Sequence, residues 1–198
     1  MTIHTNSGLK LYMESAIAAA EPIDSISKAP PGVIASAGHP FVNGDNVLLA
    51  IQGMVELNGY LCKVVSVVAG VSFQVADVNG TTGIDTTLFS TFTSGTAKKV
   101  TLGISITGVQ DFNFAGGEIK VEDTTTVNDT QDTQIVVGAT AQSADMTMQW
   151  DPASSAQQAM IAAFETRANK GFKVLWPDGA FTMWYGTVGY TGAPGGGK

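Results

Sequence analysis

Residues 149–190, QWDPASSAQQAMIAAFETRANKGFKVLWPDGAFTMWYGTVGY, decide the fold of this chain, because they predict a strand, one short helix and a β-hairpin in that order. Asp151 followed by Pro152 gives one possible helix start, and two overlapping capping-box spacings within residues 154–158 give a second. Both starts stay open. Gly171 predicts the end of a helix of about four turns. The pattern as a whole predicts a helix laid across a sheet.

The predicted helix has one apolar face, on which we expect Met160 and Phe164 to be buried. Near its predicted end, the helix dipole favours cations such as Arg167 and Lys170. The apolar stripe consists of Ala156, Met160, Ala163 and Phe164, flanked by Ile161 and Ala168, and the opposite side carries Gln157, Glu165, Arg167 and Lys170. One face of the helix is therefore expected to pack against a sheet.

A β-hairpin follows the helix. Residues 172–176 alternate, 177–179 are a turn signal, and 180–190 resume a strand pattern rich in threonine and aromatic residues. The order of the WDP before the helix, the helix QQAMIAAFET, the returning strand FKVLWPDG and the G-x-V at 186–188 resembles the major tail tube proteins of long, non-contractile-tailed phages of the lambda type. The resemblance implies a mainly β fold, in which two packed β-sheets are flanked by one α-helix.

The same resemblance implies a structural virion protein without a cofactor. In this family, hexameric rings stack into a hollow tail tube, assembled in the host cytoplasm, through which double-stranded DNA passes during ejection. The implied partners are further copies of the chain, a tape measure protein, a tail terminator, tail-tip proteins and, transiently, DNA. Family members usually continue after the returning hairpin with one more strand, and often with an immunoglobulin-like domain, whereas this chain ends at TGAPGGGK. The closing of the sheet is therefore left open.

The first half of the chain predicts a second module. Residues 8–15 alternate like a strand, 15–21 suit either a strand or a short helix, and the breaker cluster at 29–32 predicts a boundary. Beyond it, three Asn-Gly pairs separate strand-like runs, which predicts a small antiparallel meander or barrel over 33–98. The stretch GHPFVNGDNVLLAIQGMVELNGYLCKVVSVVAGVSFQV, with TTLFSTFTSGTAKKV after it, resembles the small β-barrel related to the first catalytic-cysteine half-domain of ubiquitin-activating enzymes. We therefore expect a discontinuous tail tube domain, 1–32 and 99–198, and an inserted barrel, 33–98, on the outside of the tube.

Residues 101–150 carry most of the negative charge. Gly116 and Gly117 are expected to bend or bulge a strand, the polar residues 123–133 predict a long exposed loop, and 134–150 predict another long strand. Because a wall without Lys and Arg repels phosphate instead of binding it, we expect acidic residues of this region to face the bore. The candidates for the bore are Asp111, Glu118, Glu122 and Asp145, and those for a loop that bridges to an adjacent subunit or ring are Asp123, Asn128, Asp129 and Asp132.

The overall charge argues against a basic nucleic-acid reader. The formal net charge is −7 and only 14% of the residues are charged, whereas such readers bind phosphates through Lys and Arg. The polar surface must come from uncharged residues, which suits β structure and a chain that its neighbours largely cover. The sequence contains no signal peptide and no apolar run of about 18 residues, so neither secretion nor a membrane is indicated.

Candidate catalytic and metal-binding patterns have simpler explanations. Asp85-Thr86-Thr87 and Asp123-Thr124-Thr125 superficially resemble aspartic-protease dyads, but both lack the glycine that should follow. The spacing of Asp123, Asp129 and Asp132 lacks the glycine and the terminal glutamate of an EF-hand loop. These residues are therefore expected to be polar loop residues.

The histidines and the cysteine complete the candidates. His4 and His39 stand alone, without the partners that a zinc site or a catalytic triad needs, and the single Cys62 is expected to be a small core residue. The sequence therefore predicts no active site, metal site or cofactor site. The main alternative to a tube subunit is a monomeric tail-tip adhesin or binding module, and a hydrolase that uses the Asp-Thr-Thr pairs is a third hypothesis.

Overall fold

The computed structural model describes residues 8–76, 82–123 and 134–191. The chain divides into two compact units, one of Met1–Thr107 with Trp150–Lys198 and one of Gly108–Gln149. The described residues form antiparallel sheets and one α-helix, so the expected mainly β fold with one helix is confirmed. No helix in this part of the chain is long and apolar enough to cross a membrane.

Fifteen strands and one α-helix are defined within the described residues, and the stretch 15–21, which suited either a strand or a helix, is a strand. In chain order the elements are β1 (Lys10–Met13), β2 (Ala16–Ile23), β3 (Ser25–Ile26), β4 (Ile34–Ala35), β5 (Asn46–Gln52), a 3-10 turn (Val55–Leu57), β6 (Leu61–Val68), β7 (Ser72–Ala76), β8 (Ser94–Thr101), β9 (Ile104–Ile106), β10 (Val109–Ala115), β11 (Ile119–Asp123), β12 (Gln134–Ala139), β13 (Ser143–Met148), α1 (Ser155–Glu165), β14 (Asn169–Leu175) and β15 (Phe181–Thr187).

The larger unit contains a curled seven-stranded sheet with the strand order β2-β8-β5-β6-β7-β4-β3. Its two outer strands, β2 and β3, follow one another in the chain with only Asp24 between them, so the sheet curls until both ends meet the same chain segment. Alternate residues point into the curl, as the period of a strand requires, and fill it with one apolar core. The core consists of Ile23, Ile26, Ile34, Phe41, Val47, Leu49, Ile51, Met54, Leu57, Cys62, Val64, Phe73, Val75 and Ala97.

The closed barrel expected within 33–98 is not found among the described residues. The segment contributes to the open seven-stranded sheet, whose strands β2 and β3 come from before residue 33. The reason is the pairing of β8, which holds β5 along one side over seven residues and β2 along the other. The third Asn-Gly pair, at 79–80, lies outside the described residues. The division into a tail tube domain and an inserted domain stays a prediction.

A four-stranded sheet with the order β15-β14-β1-β9 packs against the outer face of the seven-stranded sheet. The two sheets approach each other closely at Gly171 in β14, where an added Cβ would lie 3.1 Å from Leu61 Cδ2 and 3.3 Å from Val100 Cγ1. Glycine is therefore required at this position by the packing of two sheets. The predicted returning hairpin is also present, since β14 pairs with β15 and Gly179 forms the turn with a positive φ of 89°.

The helix begins at the later of the two predicted starts and ends earlier than expected. Ser154 is its N-cap, and the α-helix runs for 11 residues, from Ser155 to Glu165. Thr166 is the C-cap, and Arg167 takes a left-handed backbone conformation with a φ of 52°. The prediction that the helix reaches Gly171 was therefore wrong.

The physical reason lies near the opposite end of the chain, at Glu14, the residue that follows β1. The buried carboxylate of Glu14 accepts hydrogen bonds from Lys170 Nζ at 3.0 Å and from the backbone N–H of Gly171 at 3.1 Å. Residues 169–175 also pair with β15, and residues 172–175 pair with β1 as well, so their backbone groups find partners in a sheet. These pairings replace the last turn of helix that the sequence predicted, and Lys170 neutralises Glu14 instead of facing the helix dipole.

The buried face of the helix differs from the predicted stripe at two residues. Met160 is buried, as expected, with 5% of its surface exposed, whereas Phe164 is 43% exposed and the prediction of its burial was wrong. Gln157, expected on the polar side, is buried, and its Oε1 accepts a hydrogen bond from the backbone N–H of Asp151 at 3.1 Å. The helix is therefore rotated toward Gln157, which leaves Phe164 at the margin, beside the ring of Tyr190.

This rotation predicts opposite outcomes for two truncations on one helix. Met160→Ala should lower the free energy of unfolding by about 2 to 5 kcal/mol, because it leaves a cavity in a packed core. Phe164→Ala should lower it by about 1 kcal/mol or less, because much of the ring is already exposed to solvent. Urea denaturation of the isolated subunit measures both values. Equal losses for the two variants would contradict the orientation of the helix.

A candidate assembly ribbon

The smaller unit, Gly108–Gln149, is a two-stranded antiparallel ribbon, here called the ribbon. Its near half is β10 paired with β13, and its far half is β11 paired with β12. At its root the N–H of Gln149 donates to the carbonyl of Gly108 at 2.9 Å, so both ends of the ribbon lie together. The single long strand predicted for 134–150 is therefore divided into two strands.

The two halves meet at a bend formed by Gly116 and Gly117, which have positive φ values of 86° and 81°. A side chain at Gly116 would collide with the carbonyl oxygen of Ala141 on the return strand. Hydrogen bonds still cross the bend, since Gly117 N–H donates to the carbonyl of Thr140 at 3.2 Å and Thr140 N–H donates to the carbonyl of Glu118 at 2.8 Å. The predicted bend at these two glycines is confirmed.

The ribbon has open edges. Among the described residues, β10 pairs with no strand other than β13, and β11 with none other than β12. A lone two-stranded ribbon is only marginally stable in water, and a strand edge with unpaired N–H and C=O groups is a template for pairing with another chain. The geometry of the ribbon therefore suits the addition of strands from neighbouring molecules.

The near half of the ribbon has one polar and one apolar face. In the register of β10 and β13, Asp111 lies opposite Thr147 and Asn113 lies opposite Asp145, and these side chains share one face. The other face carries Phe112 opposite Met146 and Phe114 opposite Ala144. Two of the four predicted bore residues, Asp111 and Asp145, are thus brought to the same face. The apolar face was not predicted, although the alternation of Asp, Phe, Asn and Phe at 111–114 was a signal for it.

The far half alternates in the same way along β11. Lys120 and Glu122 point to one side, and Glu118, immediately before the strand, has the same parity. Ile119 and Val121 point to the other side, where they are 67% and 53% exposed. The far half thus carries two exposed apolar side chains on the side opposite Lys120 and Glu122.

The predicted bridging loop lies mostly outside the described residues. Asn128, Asp129 and Asp132 fall in 124–133, and of Asp123 the structure gives the backbone pairing with Gln134 at the end of β11. The bridging role of these four residues stays a prediction.

The charge of the chain is concentrated on the ribbon. Residues 108–149 contain seven acidic residues and one lysine, and so carry six of the seven net negative charges. No group of three His, Cys, Asp or Glu side chains in the described ranges is placed to hold a metal ion. The ribbon is therefore an acidic surface, and its carboxylates are spread along it.

The candidate catalytic residues have structural positions in the larger unit. Asp85 accepts a hydrogen bond from the N–H of Thr87 at 2.9 Å, and the hydrogen bonds from Thr87 lower the pKa of Asp85. Cys62 is buried in the core of the curled sheet, and burial raises its pKa to about 12, so the thiol stays protonated. His39 is buried between the rings of Phe41 and Phe73.

Comparison with known proteins agrees with this architecture. A family model described as phage tail tube protein, TTP, matches residues 56–196, which include the ribbon, the helix and the returning hairpin. No curated protein matches the chain. Proteins of this family are structural components of the phage tail, where they assemble with one another and with other tail proteins, and they are not enzymes. Since the match covers more than half of its length, the chain belongs to the phage tail tube protein family.

Proposed function

We propose that this chain is the tube subunit of a long, non-contractile phage tail, that six copies close into a ring through their ribbons, and that stacked rings conduct double-stranded DNA. The observation that carries the proposal is the ribbon, which combines open strand edges with one acidic face. Closing a sheet into a barrel satisfies every edge strand at once. Six ribbons side by side would do this for all their backbone groups.

The acidic face supports passage of DNA without adhesion. Each Lys or Arg on the wall of the bore would bind a phosphate and release a counterion. Proteins that bind DNA non-specifically in this way have dissociation constants of about 10⁻⁴ to 10⁻⁶ M. Asp111 and Asp145, on one face of the near half, would instead repel phosphates at short range, because salt screens the repulsion beyond roughly 8 to 10 Å. We propose that these two residues line the bore. Glu118 and Glu122 remain candidates for the bore or for contact with a neighbouring copy.

The other parts of the chain have assigned places in this proposal. Residues 33–98, which resemble the small barrel of ubiquitin-activating enzymes, would decorate the outside of the tube, because a folded module that points inward would obstruct the bore. The acidic loop at 123–133 would bridge to an adjacent subunit or ring. The tape measure protein, the tail terminator and the tail-tip proteins are the further partners that the family suggests.

Electron microscopy of the purified protein tests the proposal directly. Negative-stain images should contain rings or tubes with a central hole. Isolated particles at every protein concentration would favour the alternative, a monomeric binding module or tail-tip adhesin. The open edges favour the first outcome, since a monomeric adhesin has no use for unpaired strands on both sides of a ribbon.

The acidic face makes a separate prediction about DNA. The double variant Asp111→Lys with Asp145→Lys should still form tubes, but DNA ejection should slow on the order of tenfold at low salt, because each subunit gains cations that bind phosphate. The slowing should weaken as salt rises, since counterion release drives the binding. The measurement is the ejection rate of phage that carry the variant tube, at low and high ionic strength.

Two controls separate charge from other effects. Asp111→Asn with Asp145→Asn removes the same carboxylates without adding cations, and Glu165→Lys adds a cation on the helix, outside the ribbon. Both controls should eject DNA at nearly the wild-type rate. If the lysine variant ejects as fast as the wild type at both salt concentrations, Asp111 and Asp145 do not face the DNA.

A further inference from the structure

Two lysines from different sheets converge on one aromatic ring. Lys63 belongs to β6 of the seven-stranded sheet and Lys173 to β14 of the four-stranded sheet. Their Nζ atoms lie 5.6 Å and 4.6 Å from the centre of the Phe181 ring, which is itself buried. Both lysine side chains stay partly exposed. Two positive charges, one from each packed sheet, therefore lie beside the same ring and are partly exposed to solvent.

These two charges lack a neutralising partner within the described part of the chain. Lys99 pairs with Asp45 at 2.7 Å and Lys170 with Glu14 at 3.0 Å, whereas neither Lys63 nor Lys173 forms an ion pair there. Burial lowers the pKa of Lys173, and the positive charge of Lys63 lowers it further. The arrangement thus includes a repulsion between like charges that a bound anion would remove.

A purely structural role does not account for the pair. A cation over an aromatic ring is a weakly stabilising contact at an exposed site, and one lysine is enough for that interaction. The second lysine adds repulsion at short range, and the two approach from separate sheets. Each ammonium group is a donor without an acidic partner among the described residues, and a carboxylate is a strong acceptor for such a donor.

We propose that Lys63 and Lys173 form a receptor for a carboxylate of the far half of the ribbon, Glu118 or Glu122, of a neighbouring copy of this chain. The charge distribution supports this occupant. Seven of the 17 acidic residues and one of the 10 basic residues lie in 108–149, so the remainder of the chain is close to neutral and the ribbon is its strongly acidic part. The inference rests on the proposed assembly of copies through their ribbons, and it assigns these two glutamates to docking instead of the bore.

The reach of the ribbon agrees with contact between copies. Glu118 and Glu122 lie 10 and 14 positions along the chain from the root at Gly108, which is roughly 30 to 45 Å of extended chain. The far half is separated from the root by the whole near half and by the bend at Gly116 and Gly117, and an acidic side chain there can contact a second molecule.

A charge-swap cycle tests the receptor. Lys63→Glu with Lys173→Glu should reduce the yield of tubes at least tenfold at low salt, and so should Glu118→Lys with Glu122→Lys. The chain with all four changes should recover most of the wild-type yield, because the charges are again complementary. Tube yield is counted in negative-stain images and followed by light scattering. Lys10→Glu with Lys98→Glu, the same change of charge elsewhere in the larger unit, is the matched control and should assemble normally.

The outcomes separate this inference from the assembly proposal. If the wild-type chain forms no rings or tubes, assembly itself is refuted, and the receptor with it. If the wild type assembles and both charge-reversed pairs assemble equally well, the receptor alone is refuted. If the glutamate variant does not fold, Lys63→Met with Lys173→Met serves as a second test, because methionine keeps the apolar part of each side chain. This variant should lose tubes to the same extent, and the thermal unfolding of its subunit should be unchanged. Normal tubes from the methionine variant, with altered DNA ejection only, would mean that the lysines contact DNA and would overturn the proposal.

Discussion

Excision of the ribbon should abolish tube formation and leave the rest of the subunit folded. The root of the ribbon is closed by the hydrogen bond between Gln149 and Gly108, so a short Gly-Ser linker can replace residues 109–148 without stretching the chain. The apolar core of the curled sheet lies entirely in the other unit. We expect a monomer with a single cooperative thermal transition and no rings or tubes in negative-stain images.

A narrower deletion provides the control. Replacing only residues 124–133 with a Gly-Ser segment of equal length keeps the paired strands of the ribbon and removes the acidic loop. If this loop bridges rings, the variant should form single rings or short stacks, whereas excision of the whole ribbon should form neither. Tubes from the fully excised chain would place the assembly interface on the larger unit and would contradict the proposed role of the ribbon.

Truncation of Phe73 should produce the largest loss of stability of any single substitution considered. Phe73 is fully buried in the core of the curled sheet, with the rings of Phe41 and His39 edge-on at 5.1 Å and 5.2 Å between centroids. Phe73→Ala should therefore lower the free energy of unfolding by about 3 to 5 kcal/mol, the usual cost of emptying such a site. Denaturant titration, followed by tryptophan fluorescence and by circular dichroism, measures the loss.

The same titration tests how the larger unit is organised. Phe73→Leu fills part of the cavity and should recover much of the lost stability. Because β2 and β8 join residues 33–98 to the preceding and following chain, we expect the two spectroscopic signals to change together in one transition. Two separate transitions would support an independent inserted domain. A loss below about 1 kcal/mol for Phe73→Ala would contradict the packing of the core.

Local signals in the sequence were sufficient for part of the fold. The turn at Pro177-Asp178-Gly179 acts over a few positions, so the hairpin was predictable, and the local pattern of residues 151–158 narrowed the helix start to two positions. The end of the helix was not, because Glu14, far away in sequence, captures Lys170 and Gly171 for the sheet. An apolar stripe likewise gives the buried side only approximately, which is why Phe164 was misplaced and Gln157 was missed.

In the ribbon and the curled sheet, too, local signals were predictable and contacts between distant residues were not. Composition alone located the acidic region, and the glycine pair located the bend. That Asp111 and Asp145 share a face depends on the register of β10 against β13, which a single sequence does not specify. The closed barrel was expected because hairpin signals were read within 33–98, whereas the outer strands β2 and β3 come from outside that segment. Pairings between distant strands are the part that local patterns leave undetermined.

The concentration of charge on the ribbon also governs the subunit while it is still free. Open strand edges with exposed apolar side chains would, in a neutral protein, add to one another wherever two copies met. Six net negative charges on each ribbon oppose such encounters over a Debye length of roughly 10 Å at 0.1 M salt, so that unassembled copies can accumulate without aggregating. In the proposed assembly, spontaneous nucleation would then be slow, and growth would be confined to places where an existing structure supplies the first complementary contact. We therefore expect the acidic ribbon to delay polymerisation until a template is present.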